Sequence, residues 1–231
     1  MIKLPDRLAK ICEYVVEGKP LADIGSDHAL LPCFLVERGV CPSAICGELT
    51  KGPFNRAKQA VLENELSEMI EVRQGSGLEV LKEGEVSTVV IAGMGGNTIV
   101  EILESASHVE NFSRLILQPA GSLAEVRDLI ARRGWVIEDE TVVRERGFFI
   151  IIVICPRSGE SYHLSDLEKE FGPVLLGKAK QSAVQDYLLY ETNKLNRIIQ
   201  QIRDHGEEEA RLVGKKYTVL KNQLEGILYG R

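Results

Sequence analysis

Four strings, each at the end of a short apolar run, hold the residues whose types and spacing could do chemistry. The first reads Leu21-Ala22-Asp23-Ile24-Gly25-Ser26-Asp27-His28-Ala29. A strand that ends in an Asp-x-Gly turn and feeds a helix places its turn where ligands bind in open α/β sheets, outside the carboxyl ends of the strands. Glycine there permits a tight turn and close backbone approach. Asp27 stands where a dinucleotide-binding loop would have its second glycine. A carboxylate at that point repels a pyrophosphate but suits a cation, such as the amino end or sulfonium of S-adenosylmethionine. Asp23, Gly25, Ser26, Asp27 and His28 are therefore cofactor-binding candidates. Asp23-x-Gly25 alone also reads as a plain tight turn, and His28 as a helix-start hydrogen-bonding residue.

The second string ends in Cys46-Gly47-Glu48-Leu49, with Glu48 25 residues after Asp23. An acid at the end of the second strand can accept both ribose hydroxyls of a nucleoside cofactor, and Leu49 adjoins it. The third, Arg73-Gln74-Gly75-Ser76-Gly77-Leu78, falls where an adenine ring would be met. Ser76 can donate to or accept from a base edge; a turn with two glycines is the plain alternative. The fourth, Ala92-Gly93-Met94-Gly95-Gly96, has three glycines in four positions. That density implies unusual backbone geometry or close approach of a ligand. Ala92, Gly93 and Met94 join the cofactor candidates. Asp27, Gly95 and, from the adjacent strand end, Gln118 are the catalytic candidates. No metal site is expected, because no Cys/His cluster has ligand spacing.

Elements that would position these loops are legible in the hydrophobic periodicity. Short apolar strands at 20–24, 43–48, 70–74, 88–92 and 114–117 alternate with helical stretches at 29–38, 53–64, 98–106 and 123–133, after a first helix within 4–16. Alternation predicts a doubly wound parallel sheet. Strands at 135–144 and 148–155, separated by Glu145-Arg146-Gly147, leave no room for a helix and predict an antiparallel hairpin. The expected fold is a class I (Rossmann-like) methyltransferase domain, with a seven-stranded sheet ending in that hairpin. Domain boundaries are expected at 1–156 and 157–231. Beyond a polar stretch at 157–174, apolar spacing predicts helices over 175–204 and 207–228, broken at His205-Gly206. They read as an antiparallel helical hairpin, either a packing or dimerising element or an RNA-gripping arm.

The remaining features set limits. The 231 residues carry a formal charge of −6, which excludes a binder relying on bulk positive charge. Residues 1–156 hold 16 Lys/Arg against 23 Asp/Glu, and residues 157–231 hold 12 against 11. The five cysteines are odd in number and form no CxxC, which suits reduced structural thiols. The longest apolar run, Phe148 to Cys155, is too short to span a bilayer. With no apparent signal peptide, a cytoplasmic protein without a membrane partner is expected.

Six strings together resemble a known family: Asp23-Ile-Gly-Ser-Asp-His-Ala-Leu-Leu-Pro32, Gly47-Glu48, Gly52-Pro53-Phe54, Gly75-Ser-Gly-Leu78, Ala92-Gly-Met-Gly-Gly96 and Leu115-Ile-Leu-Gln-Pro119. The family is the bacterial tRNA (adenine(22)-N1)-methyltransferases, TrmK, and the C-terminal helices are similar to its coiled-coil tail. The resemblance implies methyl transfer from S-adenosyl-L-methionine to N1 of an adenine in tRNA, by a monomer or weak homodimer. There are departures: Ala120 where members often have Asn, Phe148-Phe149-Ile150 for Phe-Tyr-Glu, and Ser76 for Asn or Asp. Two rivals remain open, a small-molecule methyltransferase of the same fold and a non-catalytic tRNA-binding protein with a retained cofactor pocket. An NAD-linked dehydrogenase is disfavoured by the missing GxGxxG and the terminal hairpin. Core packing is expected for Phe54 and Phe149, the two aromatics near the site.

Overall fold

A computed structural model describes residues 2–106, 112–157, 159–205 and 208–230. The chain forms two compact units, Met1–Tyr162 and His163–Arg231.

The first unit is a seven-stranded sheet in the order β3-β2-β1-β4-β5-β7-β6. Its strands are β1 (Leu21–Ile24), β2 (Ala44–Glu48), β3 (Ile70–Gln74), β4 (Thr88–Met94), β5 (Arg114–Pro119), β6 (Asp139–Glu145) and β7 (Phe148–Pro156). The first five run parallel; β7 is antiparallel to both β5 and β6. Strand order reverses between β1 and β4, and ligands bind in such sheets at that switch point. Its helices are α1 (Asp6–Cys12), α2 (Leu30–Glu37), α3 (Lys51–Glu63), α4 (Gly96–Ser105) and α5 (Leu123–Arg132).

Central strands are buried on both faces, as parallel sheets require. One face presents Leu21, Cys46, Val90, Ile116 and Ile152 to a core shared with α1, α2 and α3. The alternate residues Val89, Ile91, Leu115, Leu117 and Val153 are equally buried and belong to the face carrying α4 and α5. Gly96 permits the closest backbone approach. A Cβ there would lie 2.4 Å from the Gly121 carbonyl oxygen, so only glycine lets the loop after β4 pass the loop after β5.

Several boundaries differ from the sequence reading. The sixth strand begins at Asp139 rather than at Trp135. Trp135 is buried and makes only an isolated antiparallel bridge to Arg157. The chain after β7 returns to this region, with Gly159 and Tyr162 donating backbone hydrogen bonds to Gly134 and Ala131. Strand β4 runs two residues further than expected, to Met94, through an irregularity between Ala92 and Met94.

In the second unit, the stretch expected to be merely polar holds α6 (Asp166–Phe171), and the helix expected over 175–204 is divided. A capping box starts α6: Ser165 accepts from the Glu168 N–H, and the Glu168 side chain reaches back to the Ser165 N–H. Pro173 opens α7 (Pro173–Gly177), and a turn at 178–181 separates it from α8 (Ser182–His205). Helix α9 (Glu208–Tyr229) pairs with α8, a Cβ at Gly214 falling 3.0 Å from Ile202. Residues 199, 202 and 203 share a groove with 211, 214, 215, 218 and 219, so the two helices run antiparallel. Of the interruption expected at His205-Gly206, Gly206 lies outside the described residues.

Candidate cofactor and methyl-transfer site

The ends of β1, β2, β3 and β4 and one face of α4 line a cavity of about 370 Å³. Larger grooves exist beside β3 and between α8 and α9, at about 660 and 670 Å³. Size alone does not locate the chemistry. Of these three, the cavity at the strand ends combines a buried carboxylate, a glycine-lined approach and the switch point.

Glu48 is its central polar group. Ending β2, it is 5% exposed although it lines the cavity. Its Oε1 accepts the backbone N–H of Asp27 and, at 3.4 Å, the Ser26 hydroxyl. One carboxylate oxygen thus braces the turn after β1, while Oε2 has no hydrogen bond there and is available to a ligand's hydroxyls. Leu49, next in sequence, is 65% exposed beside it, an apolar surface for a flat ring. Gly75, Ser76 and Gly77 form the far wall, and Gly25 with Met94 the near one. A Cβ on Gly25 would fall 2.1 Å from the Met94 terminal methyl, so the thioether lies directly across the glycine turn.

The turn after β1 is unusual. Gly25, Asp27 and Ala29 all have left-handed φ, at 76°, 52° and 49°. For the two non-glycine residues this costs roughly 1–2 kcal/mol each. The conformation is held from both sides: Glu48 takes the Asp27 N–H, and Arg56 of α3 grips the Asp27 carboxylate, with Nε 2.6 Å and Nη2 2.5 Å from Oδ1. Such strain persists where surrounding structure enforces it, often at functional sites.

Of the residues singled out from sequence, Gly25, Glu48, Leu49, Gly75, Ser76, Gly77 and Met94 line the cavity. Ser26 joins them through Glu48. Asp27 does not line it, because its carboxylate is turned to Arg56, and His28 stands outward with its Nε2 3.5 Å from Asp27 Oδ2. Asp23 is 6% exposed, beneath the turn rather than in the cavity. Ala92, Gly93 and Gly95 lie outside the lining set too, on the loop that carries Met94. Gln118 pairs in register with Ala92 on the neighbouring strand. It is 5% exposed; its amide nitrogen donates only to its neighbour Pro119 at 3.4 Å, and its amide oxygen has no partner. A buried amide left unpaired costs about 1–3 kcal/mol, so Gln118 is an acceptor in waiting at the sheet edge. Phe54 and Phe149 are only half-buried, and each carries a cation on its ring, Lys58 and Arg144 respectively.

Sequence reasoning missed the α4 wall and Arg56. Thr98, Glu101, Ile102 and Ser105 line the cavity from α4 at helical spacing, i, i+3, i+4, i+7. That signal was present in the sequence. Arg56 carried none, since its partner lies 29 residues earlier.

Asp23 and Glu48 form an acidic pair with raised pKa values. Burial, then the Glu48 charge, pushes Asp23 up to about 7. Burial also raises Glu48, opposed mainly by the Asp27 N–H. An unfolded Asp titrates near 3.9. Between about pH 4 and 7 the folded chain therefore holds a proton that the unfolded chain has lost. Stability falls as pH rises through that window and levels off above it. Asp23→Asn removes the burden, so calorimetric melting should show the variant gaining on the unsubstituted protein from pH 4.5 to pH 8, by on the order of 2–4 kcal/mol. The same difference at both pH values would show that Asp23 ionises without a burial cost.

Comparison with known proteins gives a consistent picture. The family model described as tRNA (adenine(22)-N(1))-methyltransferase matches residues 21–227. A Bacillus subtilis protein named tRNA (adenine(22)-N(1))-methyltransferase is 44% identical over 147 residues; the match spans 63% of this chain and 62% of that relative's length. The crystal structure of the Bacillus subtilis m1A22 tRNA methyltransferase TrmK superposes with a TM-score of 0.89 at 32% identity, covering 99% of this chain and 100% of the other. The structure of Streptococcus pneumoniae Sp1610 in complex with S-adenosyl-L-methionine gives a TM-score of 0.83 at 34% identity, covering 99% and 100%.

Proposed function

The chain belongs to the tRNA (adenine(22)-N(1))-methyltransferase family, and on that premise we propose that it transfers the methyl group of S-adenosyl-L-methionine to N1 of an adenine, at position 22, in tRNA. The observation that carries the reading is Glu48: a buried carboxylate at the end of β2, with one oxygen bracing the loop after β1 and the other left for a ribose. Leu49 and Gly75–Gly77 beside it suit an adenine ring. The cavity meets the chemistry of a nucleoside cofactor.

When bound, S-adenosylmethionine supplies an electrophilic methyl sulfonium. Adenine N1 carries an in-plane lone pair, so no residue needs to strip a proton first, and no general base is assigned. The work of the chain is positioning. Glu48 would accept the ribose hydroxyls, Leu49 would cover the base, and the glycines at 25 and 93–96 would let backbone approach the reacting end. Methylated adenine is cationic, so acceptors near N1 and N6 favour the transition state as charge develops. The unpaired Gln118 amide oxygen and the carbonyls of 93–96 are those acceptors. N1 is shielded in a base pair, so the adenine enters unpaired or flipped. None of the helices, among the described residues, is long and apolar enough to cross a membrane; the cytoplasm, where tRNA is processed, is the compartment this reading assigns.

The test uses labelled S-adenosylmethionine with unmodified tRNA, followed by mass-spectrometric mapping. One N1-methyladenosine per tRNA, at position 22, is expected. Label found only in small molecules or protein would overturn the substrate assignment.

A further inference from the structure

We propose that the tip of the β6–β7 hairpin is an RNA-contacting element: Phe148 stacks on an unpaired base of the substrate and Arg146 meets a backbone phosphate. The inference rests on the tRNA reading above and concerns residues outside the cofactor cavity.

Two local costs single out the tip. Phe148 is 73% exposed, although it begins a strand whose next inward residues, Ile150 and Ile152, pack into the core. The turn before it has left-handed φ at both central positions, 51° at Arg146 and 86° at Gly147. Such two-residue hairpin turns favour Asn, Asp or Gly, and an arginine in left-handed geometry costs roughly 1–2 kcal/mol. Folding alone explains neither the ring in water nor a guanidinium where asparagine would make an easier turn.

The position of the tip gives both features a use. Val153 of β7 is level with Leu117 near the carboxyl end of β5, and the antiparallel strand continues five residues beyond, to Phe148. At about 3.3 Å per residue, the tip stands roughly 16 Å past Leu117. It rises from the sheet edge that carries Gln118 and the loop at 93–96, on the β5 side, away from Glu48. Its base is fixed: Glu145, the cross-strand partner of Phe148, accepts from the Arg7 backbone N–H at 3.1 Å and from Arg7 Nη1 at 2.5 Å. A ring presented on a braced hairpin loses little freedom on binding.

Charge identifies the occupant. Arg7 pairs with Glu145 and Arg146 also acts on its charge, so the tip carries more arginine than carboxylate although residues 1–156 as a whole carry more acids than bases. Arg144 lies over the Phe149 ring on the opposite face, 5.6 Å from its centroid. An exposed aromatic face with cations beside it is the combination that holds single-stranded nucleic acid: stacking for the base, guanidinium for the phosphate.

The experiment measures methyl transfer to tRNA by the full chain bearing Phe148→Ala, Phe148→Leu, Phe148→Tyr or Arg146→Asn. Phe148→Ala and Phe148→Leu should raise KM for tRNA about tenfold or more, with KM for S-adenosylmethionine changed less than twofold. Phe148→Tyr should restore the tRNA KM, because it keeps the π-face that leucine lacks. Arg146→Asn suits the turn better, so it should melt no lower, yet reduce the salt slope of tRNA binding by about one. An unchanged tRNA KM in Phe148→Ala overturns the proposal, as does full rescue by leucine. A Phe148→Ala variant that only loses self-association, with its tRNA KM intact, overturns it in favour of a dimer contact. Failure of the unsubstituted chain to methylate tRNA is a separate result, and it refutes the substrate reading itself.

Discussion

Glu48→Ala is expected to weaken S-adenosylmethionine binding about a hundredfold or more in isothermal calorimetry. Two losses combine. On the proposed role of Glu48, the ribose hydroxyls lose a charged acceptor, and hydrogen bonds to charged groups contribute about 1.5–3 kcal/mol each. The turn after β1 also loses the group that takes the Asp27 N–H and the Ser26 hydroxyl. Glu48→Gln separates the two effects, since its amide oxygen can still brace the turn but offers no charge; a loss of about tenfold is expected. Asp27→Ala should cost less than Glu48→Ala. Its carboxylate is half-exposed and paired with Arg56, an arrangement typically contributing below about 1 kcal/mol, and its backbone N–H survives substitution. If Asp27→Ala proves as damaging as Glu48→Ala, the carboxylate leaves Arg56 to meet the cofactor. Unchanged affinity in Glu48→Ala would remove the residue from the site.

That ranking reverses the emphasis a sequence reader would choose, and the reason is physical. Glu48 and the glycines at 75 and 77 were legible because strand ends converge on one sheet edge, so position along the chain implies position in space. The orientation of Asp27 was not legible. It depends on Arg56, placed opposite only once α3 packs beside β2. Similarly, Trp135 and Ile137 alternate like strand residues, but the segment up to Glu138 meets β7 only through an isolated bridge and single hydrogen bonds. Helix α6 was overlooked for a different reason. Its signal is the local capping pair Ser165 and Glu168, which a reading by hydrophobic periodicity alone passes over. The unpaired amide of Gln118 was equally invisible, because a buried group's lack of a partner is a property of its surroundings.

A second large effect lies away from the cavity, where α5 meets the outermost strand. Arg127 and Glu140 are both fully buried, and Arg127 Nε donates to Glu140 Oε1 at 2.8 Å. Desolvating two charges offsets much of their attraction, so the pair is a weak net source of stability, but removing one partner strands the other in a low-dielectric interior. Glu140→Ala should therefore cost about 3–5 kcal/mol and lower the melting temperature by roughly 6–20 °C. Replacing both groups by apolar residues, as in Arg127→Met with Glu140→Leu, should recover most of that loss, because no charge remains unpaired. Thermal melting of the single and double variants distinguishes the accounts. A double variant as unstable as Glu140→Ala alone would show that packing, not the stranded charge, sets the cost. Since β6 carries one arm of the hairpin that bears Phe148, the substitution also bears on function. Below its melting range, Glu140→Ala should bind S-adenosylmethionine normally, because the cavity proposed for the cofactor is built from β1 to β4 and α4; tRNA turnover should fall first, as the hairpin loosens.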